Sequence, residues 1–211
     1  ENFLTELRNL CDNHGVLLVF DEVITGFRLA EGGASQWYGV TPDLWCFGKV
    51  IGGGLPMGAY GGSSDVMSNV APLGDVYQAG TLSGNPIATA AGLTQLRLLD
   101  ASAYERLEIG AKSLAEGLCA AFNSAGIDAV VPQVGPILSI FFTSQIPTNF
   151  DEAQEAAENG KYAEFFHAML SRGVALAPGP YEALFPSLAH TEKIISETIE
   201  IAHEAALEIA Q

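Results

Sequence analysis

Val16-Leu17-Leu18-Val19-Phe20 is an unbroken apolar run that ends abruptly in Asp21-Glu22. Five residues are too few to cross a membrane, and the run predicts a strand buried on both faces. A strand of that kind belongs to folds in which helices flank a mostly parallel sheet. The neighbouring pattern agrees. Phe3, Leu4, Leu7, Leu10 and Cys11 recur at helical spacing ahead of the run, and His14-Gly15 supplies the stop. Leu44-Trp45-Cys46-Phe47 reads as a second short strand, and Ala59-Tyr60-Gly61-Gly62 as a weaker third. Asn85-Pro86 is a helix start, with Asn85 as N-cap and Pro86 at the first helical position. That helix is expected to run to about Asp100, and its Ala88, Ala90, Ala91 and Gly92 imply close packing on a neighbour.

The character changes near residue 100. Leu107, Leu114, Leu118 and Phe122 mark a long amphipathic helix that ends near Gly126. Strands are expected at 129–131 and 137–142. The acidic stretch Asp151 to Glu158 reads as a solvated approach to a helix carrying Phe165, Phe166, Met169 and Leu170, which Gly173 stops. Val174-Ala175-Leu176-Ala177-Pro178 reads as a last strand. A final helix begins near Thr191, with Ile195, Thr198, Ile199, Ala202, Ala206 and Ile209 inward. The chain is therefore α/β in both halves, with domains expected at 1–100 and 101–211.

Charge removes whole classes of function. Nine Lys and Arg against 25 Asp and Glu give a net charge of -16, which argues against nucleic acid and anionic membranes as partners. Cys11, Cys46 and Cys119 are scattered and odd in number, so they read as reduced thiols in a reducing compartment. His14, His167, His190 and His203 show no metal-ligand spacing, and no metal is expected; His190 is placed to help cap the last helix. The 211 residues show no signal peptide and begin at Glu1 instead of a methionine, as expected of a processed chain or a piece of a longer one.

One lysine stands out. Lys49 lies between Leu44–Phe47 and the triple glycine Gly52-Gly53-Gly54, while Asp21 closes the earlier strand. In open α/β sheets, residues that follow parallel strands meet at one sheet edge, where ligands bind. The 28 residues from 21 to 49 are enough for a crossover between neighbouring parallel strands. An amine and an acid so placed suit pyridoxal 5'-phosphate (PLP), which a lysine holds as a Schiff base while a carboxylate keeps its ring nitrogen protonated. Apolar flanks are expected to desolvate the amine. The same residues also fit a buried strand followed by a flexible turn with Lys49 in solvent, or a structural ion pair of Lys49 with Asp21.

The wording around both residues resembles one family. Phe20-Asp21-Glu22-Val23-Ile24-Thr25-Gly26-Phe27-Arg28 is similar to the ring-binding segment of class III, fold-type I PLP-dependent aminotransferases. Residues 47–62, Phe47-Gly48-Lys49-Val50-Ile51-Gly52-Gly53-Gly54-Leu55-Pro56 through Gly62, resemble their lysine segment. Tyr77-Gln78-Ala79-Gly80-Thr81-Leu82-Ser83-Gly84-Asn85-Pro86 and the tail from Ala177-Pro178 to Ala189-His190 resemble the aminomutase branch of the class.

The resemblance implies the C-terminal half of such an enzyme. Residues 1–100 would complete a PLP-binding large domain and 101–211 would form a small domain. Lys49 would carry PLP and move protons, Asp21 would pair with the ring nitrogen, and Val23 would press on one ring face. Thr81 would reach the cofactor phosphate of the other subunit of a homodimer. Glu182 would replace the arginine that grips a substrate carboxylate in many relatives. Glu22 is either a hydrogen-bonding partner near the ring or a strand-end charge; Val23 also suits ordinary core, Thr81 a turn, and Glu182 an exposed loop. The branch's reaction converts glutamate-1-semialdehyde to 5-aminolevulinate for tetrapyrrole synthesis, with the cofactor entering as pyridoxamine 5'-phosphate (PMP). The implied location is the cytoplasm, or the plastid stroma of a photosynthetic eukaryote. The rivals are a class III aminotransferase with separate donor and acceptor, and a noncatalytic remnant.

Overall fold

A computed structural model describes residues 2–210. These residues divide into two compact units, with the division at Tyr104–Glu105, inside one helix.

In the first unit, helix α1 spans Phe3–His14, and Gly15 closes it at φ 63. Strands β1 (Val19–Glu22) and β2 (Leu44–Phe47) are parallel, with Val19 opposite Leu44 and Glu22 opposite Phe47. Strand β3 (Ala59–Gly62) lies antiparallel on the far side of β2, so the order is β1-β2-β3. Short helices α2 (Gly33–Tyr38) and α3 (Ser64–Met67) occupy the connections. Helix α4 (Pro86–Arg97) starts where the Asn85 side chain accepts from Ile87 N and Ala88 N at 3.0 and 3.1 Å. Such a cap satisfies amides that have no partner inside the helix.

The first strand differs from its expectation in place and in burial. The Leu18 carbonyl accepts from both Asp43 N and Leu44 N, and Leu18 N donates to Asp43 Oδ2 at 2.7 Å. These bonds fix the entry, so the regular ladder begins at Val19 and continues through Asp21 and Glu22. Cys11, Leu18, Phe20 and Val40 form a small core beneath it, with Leu4, Leu7 and Trp45 against them. Val16, Leu17 and Val19 remain 55%, 54% and 48% exposed. The strand is thus buried on one face only.

The second unit has a continuous core. Helix α5 (Ala101–Ser124) begins where Asp100 Oδ1 accepts from Ala103 N at 2.8 Å. Helices α6 (Phe150–Glu158), α7 (Lys161–Ser171) and α8 (Glu192–Ile209) complete the helical set. Phe122, Phe142 and Phe165 meet edge-on at centroid distances of 4.9 to 5.8 Å, the geometry that aromatic quadrupoles favour. Met169, Ala202, Ala205 and Ala206 close the cluster. Small side chains bring α8 close, and a methyl added to Gly117 would sit 2.5 Å from Ile199.

Several expected elements of this unit change. The expected strand 137–142 shrinks to β5 (Ile137–Leu138), which pairs with β4 (Gln133–Val134) outside both expected ranges, while 129–131 keeps only a bridge from Val130 to Phe141. The acidic stretch is itself a helix, α6, whose start the Asn149 side chain caps. Residues 174–178 form no strand, because Leu138 already pairs with Gln133 on one side and bridges to Leu184 on the other. Thr191, not His190, caps α8; the His190 ring accepts from Ser187 N at 2.9 Å. No described helix is long and apolar enough to cross a membrane, and no cluster among the described residues suits a metal.

Candidate active site

Because β1 and β2 are parallel, their carboxyl ends share one edge of the sheet. Asp21 lies opposite Cys46, and Lys49 follows two residues after the end of β2. The row Asp21, Cys46 and Tyr60 lies on the face opposite the Phe20 core, as strand alternation requires.

Asp21 is exposed, and its Oδ1 accepts from Val23 N at 3.1 Å. That bond orients the carboxylate, while Oδ2 makes no hydrogen bond among the described residues. Val23 is half-buried and lies over Gly48, where an added methyl would come within 3.2 Å of its side chain. The strand end, Val23 and the start of the lysine turn are therefore in contact.

Lys49 opens a 3-10 turn, Lys49–Gly52, at φ 46. A left-handed residue with a side chain costs about 1–2 kcal/mol, so the surroundings must enforce it. Helix α4 does so. Gly92 packs directly on the Ile51 carbonyl, and a methyl on Gly53 would sit 2.5 Å from the Ala91 carbonyl. Ile51 is buried while Lys49 is exposed. The apolar flank thus packs inward at Ile51 while Lys49 faces outward.

The other candidates are Thr81 and Glu182. Thr81 is exposed in a turn closed by Ser83 N to Gly80 O and Asn85 N to Leu82 O, at 3.0 and 3.1 Å. Among the described residues its hydroxyl bonds to neither Asp21 nor Lys49. Glu182 belongs to the second unit, is exposed, and donates its backbone N–H to Gly179 O at 3.1 Å. Burial, and secondarily the Glu182 charge, raises the Tyr162 phenol above its ordinary pKa; that hydroxyl donates to Ala177 O at 2.6 Å. A groove of about 540 Å³ between α5 and the start of α8, with His190 on its wall, contains none of the candidates.

Glu22 is the residue that sequence reasoning left open. It is 1% exposed and accepts from Thr25 Oγ1 at 2.5 Å, Ala34 N at 2.8 Å and Ser35 N at 2.9 Å. The last two donors are the free amides at the start of α2, whose N-cap, Gly32, has no side chain to offer. Gly32-Gly33, a helix start without a capping side chain, is the one signal in the sequence that such a partner is needed.

Comparison with known proteins decides the family: the one described as "Aminotransferase class-III" matches residues 1–206. The chain belongs to the class-III aminotransferases. This class-III chain is 52% identical over 210 residues to a glutamate-1-semialdehyde 2,1-aminomutase of Syntrophobacter fumaroxidans, covering 99% of the chain and 48% of the relative. It is 49% identical over 212 residues to the protein of that name in Natranaerobius thermophilus, covering 100% and 49%. It thus spans about half the length of the curated relatives it matches. A solved glutamate-1-semialdehyde-aminomutase variant from Pseudomonas aeruginosa PAO1, in complex with PMP, superposes with a TM-score of 0.86 at 25% identity, covering 99% of this chain and 48% of that one. The architecture is mixed α/β, in keeping with fold type I.

The edge residues of the class-III chain fit a pyridoxal-type cofactor chemically. They offer an exposed amine, a carboxylate oxygen free of hydrogen bonds, and an apolar side chain beside a glycine.

Proposed function

We propose that this chain is the lysine-bearing half of a PLP/PMP-dependent aminomutase that converts glutamate-1-semialdehyde to 5-aminolevulinate. The observation that carries the reading is the shared edge of two parallel strands, with oriented Asp21 on one and strained Lys49 after the other. The names of relatives at about half identity support the substrate. When bound, the cofactor supplies an electron sink for carbanion chemistry next to nitrogen.

The chain's own residues divide the remaining work. Lys49 would hold the cofactor through its amine and would serve as the base that moves protons at the substrate. Asp21 would hold the ring nitrogen and favour its protonated form. Val23 limits one face of the ring. Thr81, exposed in a turn rich in backbone N–H groups, reaches the phosphate bound by a second subunit of a homodimer. Glu182 stands at the chain position where other members of the class carry a substrate-binding arginine, and a role toward the substrate is assigned to it on that ground alone. Residues 1–100 belong to the large domain and 101–211 to the small one. Three unpaired cysteines support a reducing, cytoplasmic location.

Borohydride trapping of PLP followed by peptide mapping tests the reading. Lys49, Lys112, Lys161 and Lys193 are the four lysines. Label confined to Lys49, and lost in Lys49→Ala, is the expected result; scattered label refutes the site. Turnover of the semialdehyde without a second amino donor is expected of the full-length protein. A requirement for a separate donor would make it an aminotransferase instead.

A further inference from the structure

We propose that Glu22 is the positioning residue for Asp21 and Val23, holding them to the cofactor ring from beneath the strand. The inference rests on the assignment of Asp21 and Val23 given above.

A carboxylate is an expensive group to bury, and an apolar side chain of similar size would fill the space at less cost. What the acid contributes is connection. Its Oε2 accepts from the Thr25 hydroxyl and from Ala34 N, and its Oε1 accepts from Ser35 N. One buried group therefore ties together the end of β1, the turn that follows it and the start of α2. The same turn is closed by Gly26 N donating to the Glu22 carbonyl at 2.9 Å. It also lies flat on β2, since a methyl on Gly26 would sit 2.8 Å from the Phe47 ring.

The link to the proposed site is short. Asp21 owes its orientation to the amide of Val23, which belongs to this turn. The Val23 side chain in turn rests over Gly48, next to Lys49. Glu22 and Asp21 are neighbours in a strand, so their side chains lie on opposite faces. Glu22 touches no part of the proposed ring site and acts only through the backbone of residues 23–26. If the Glu22 anchor is lost, the Val23 amide drifts and the Asp21 carboxylate loses its fixed partner. The ring nitrogen then loses a well-aimed acceptor.

The test uses the full-length protein in four variants: Glu22→Gln, Thr25→Val, Thr25→Ser and Arg8→Met. Arg8 pairs with Asp12 and Asp43, away from the 23–26 turn, and serves as the control for general destabilisation. The readouts are the Kd for PLP, the 15N shift of ring-labelled PLP, and Tm. Thr25→Val is expected to raise Kd roughly tenfold, the scale of one lost hydrogen bond. It should also move the nitrogen shift toward the unprotonated position. Thr25→Ser restores both, and Glu22→Gln exceeds Thr25→Val. Arg8→Met lowers Tm while Kd and the nitrogen shift stay near wild type.

Wild-type Kd and nitrogen shift in Thr25→Val and Glu22→Gln would overturn the proposal, as would equal changes in Arg8→Met. Should Glu22→Gln fail to fold, the Thr25 pair decides. Failure of the wild-type protein to take PLP on Lys49 is a separate result: it removes the site assignment and this inference with it.

Discussion

The two units bury their apolar residues to very different degrees. In the second, Phe122, Phe165, Met169, Ala202, Ala205 and Ala206 are fully enclosed around a triangle of aromatic rings. In the first, the sheet's small core retains some exposure at every member, from Val40 at 6% to Cys11 and Phe20 at 9%. Among the described residues, both non-glycine residues with left-handed backbone, Phe27 and Lys49, are in that first unit. The unit with the proposed chemistry is thus the more open and the more strained. Packed interiors supply stability, while strain at a site survives only where neighbours enforce it.

The sharpest way to break this contrast is to open the better core. Phe165→Ala should cost about 3–5 kcal/mol, the range for deleting a buried aromatic, with urea denaturation as the measurement. A much smaller loss would mean the aromatic triangle does not anchor this core. Gly92→Ala comes next, because its methyl meets the Ile51 carbonyl. The expected loss is about 1–3 kcal/mol, typical of overpacking, together with weaker trapping of PLP at Lys49. Unchanged trapping would detach α4 from the lysine turn.

Lys49→Gly should act in the opposite sense. Glycine adopts φ 46 without penalty, so the variant should gain about 1 kcal/mol, the lower end of left-handed strain, while losing all label. No gain in Tm would show that the turn carries no strain.

The smallest effect concerns acid. The Asp43 carboxyl is held below the usual carboxylate range, first by the Leu18 amide and then by the Arg8 guanidinium. Its contribution is complete above the ordinary carboxylate pKa of about 3.9 and disappears as pH falls through the lowered value. The carboxylate is still 31% exposed, so solvent screens part of this contribution. Acid unfolding of wild type should therefore be only slightly steeper than that of Asp43→Asn. Identical profiles would remove the ion pair from the first unit's stability.

Elements fixed by nearby residues were legible in the sequence. Asn85-Pro86 starts α4 and Gly15 ends α1, since a cap depends on residues within one turn. The shared sheet edge at which Asp21 and Lys49 follow their strands was also legible, because parallel pairing of two short apolar strands dictates it. Pairing over longer distances was not. The start of β1 is set by Asp43 and Leu44, some 25 residues away, and residues 174–178 lose their strand to Leu184. Glu22 was unreadable for a similar reason: two of its three donors lie 12 and 13 residues onward, on a helix with little apolar signal. The exposure of Lys49 stayed open in the sequence, because flanking hydrophobicity does not say which way each side chain turns.

The contact between Gly92 and the Ile51 carbonyl divides helix α4 for anyone building variant libraries on this scaffold. Position 92 tolerates no side chain without moving the loop that presents the lysine, so randomising it samples broken turns. Thr94, two residues on, is exposed, and its hydroxyl merely returns to the Ala90 carbonyl. A library that freezes the glycine and varies the outward positions would explore sequence while the presentation of the amine stays constant.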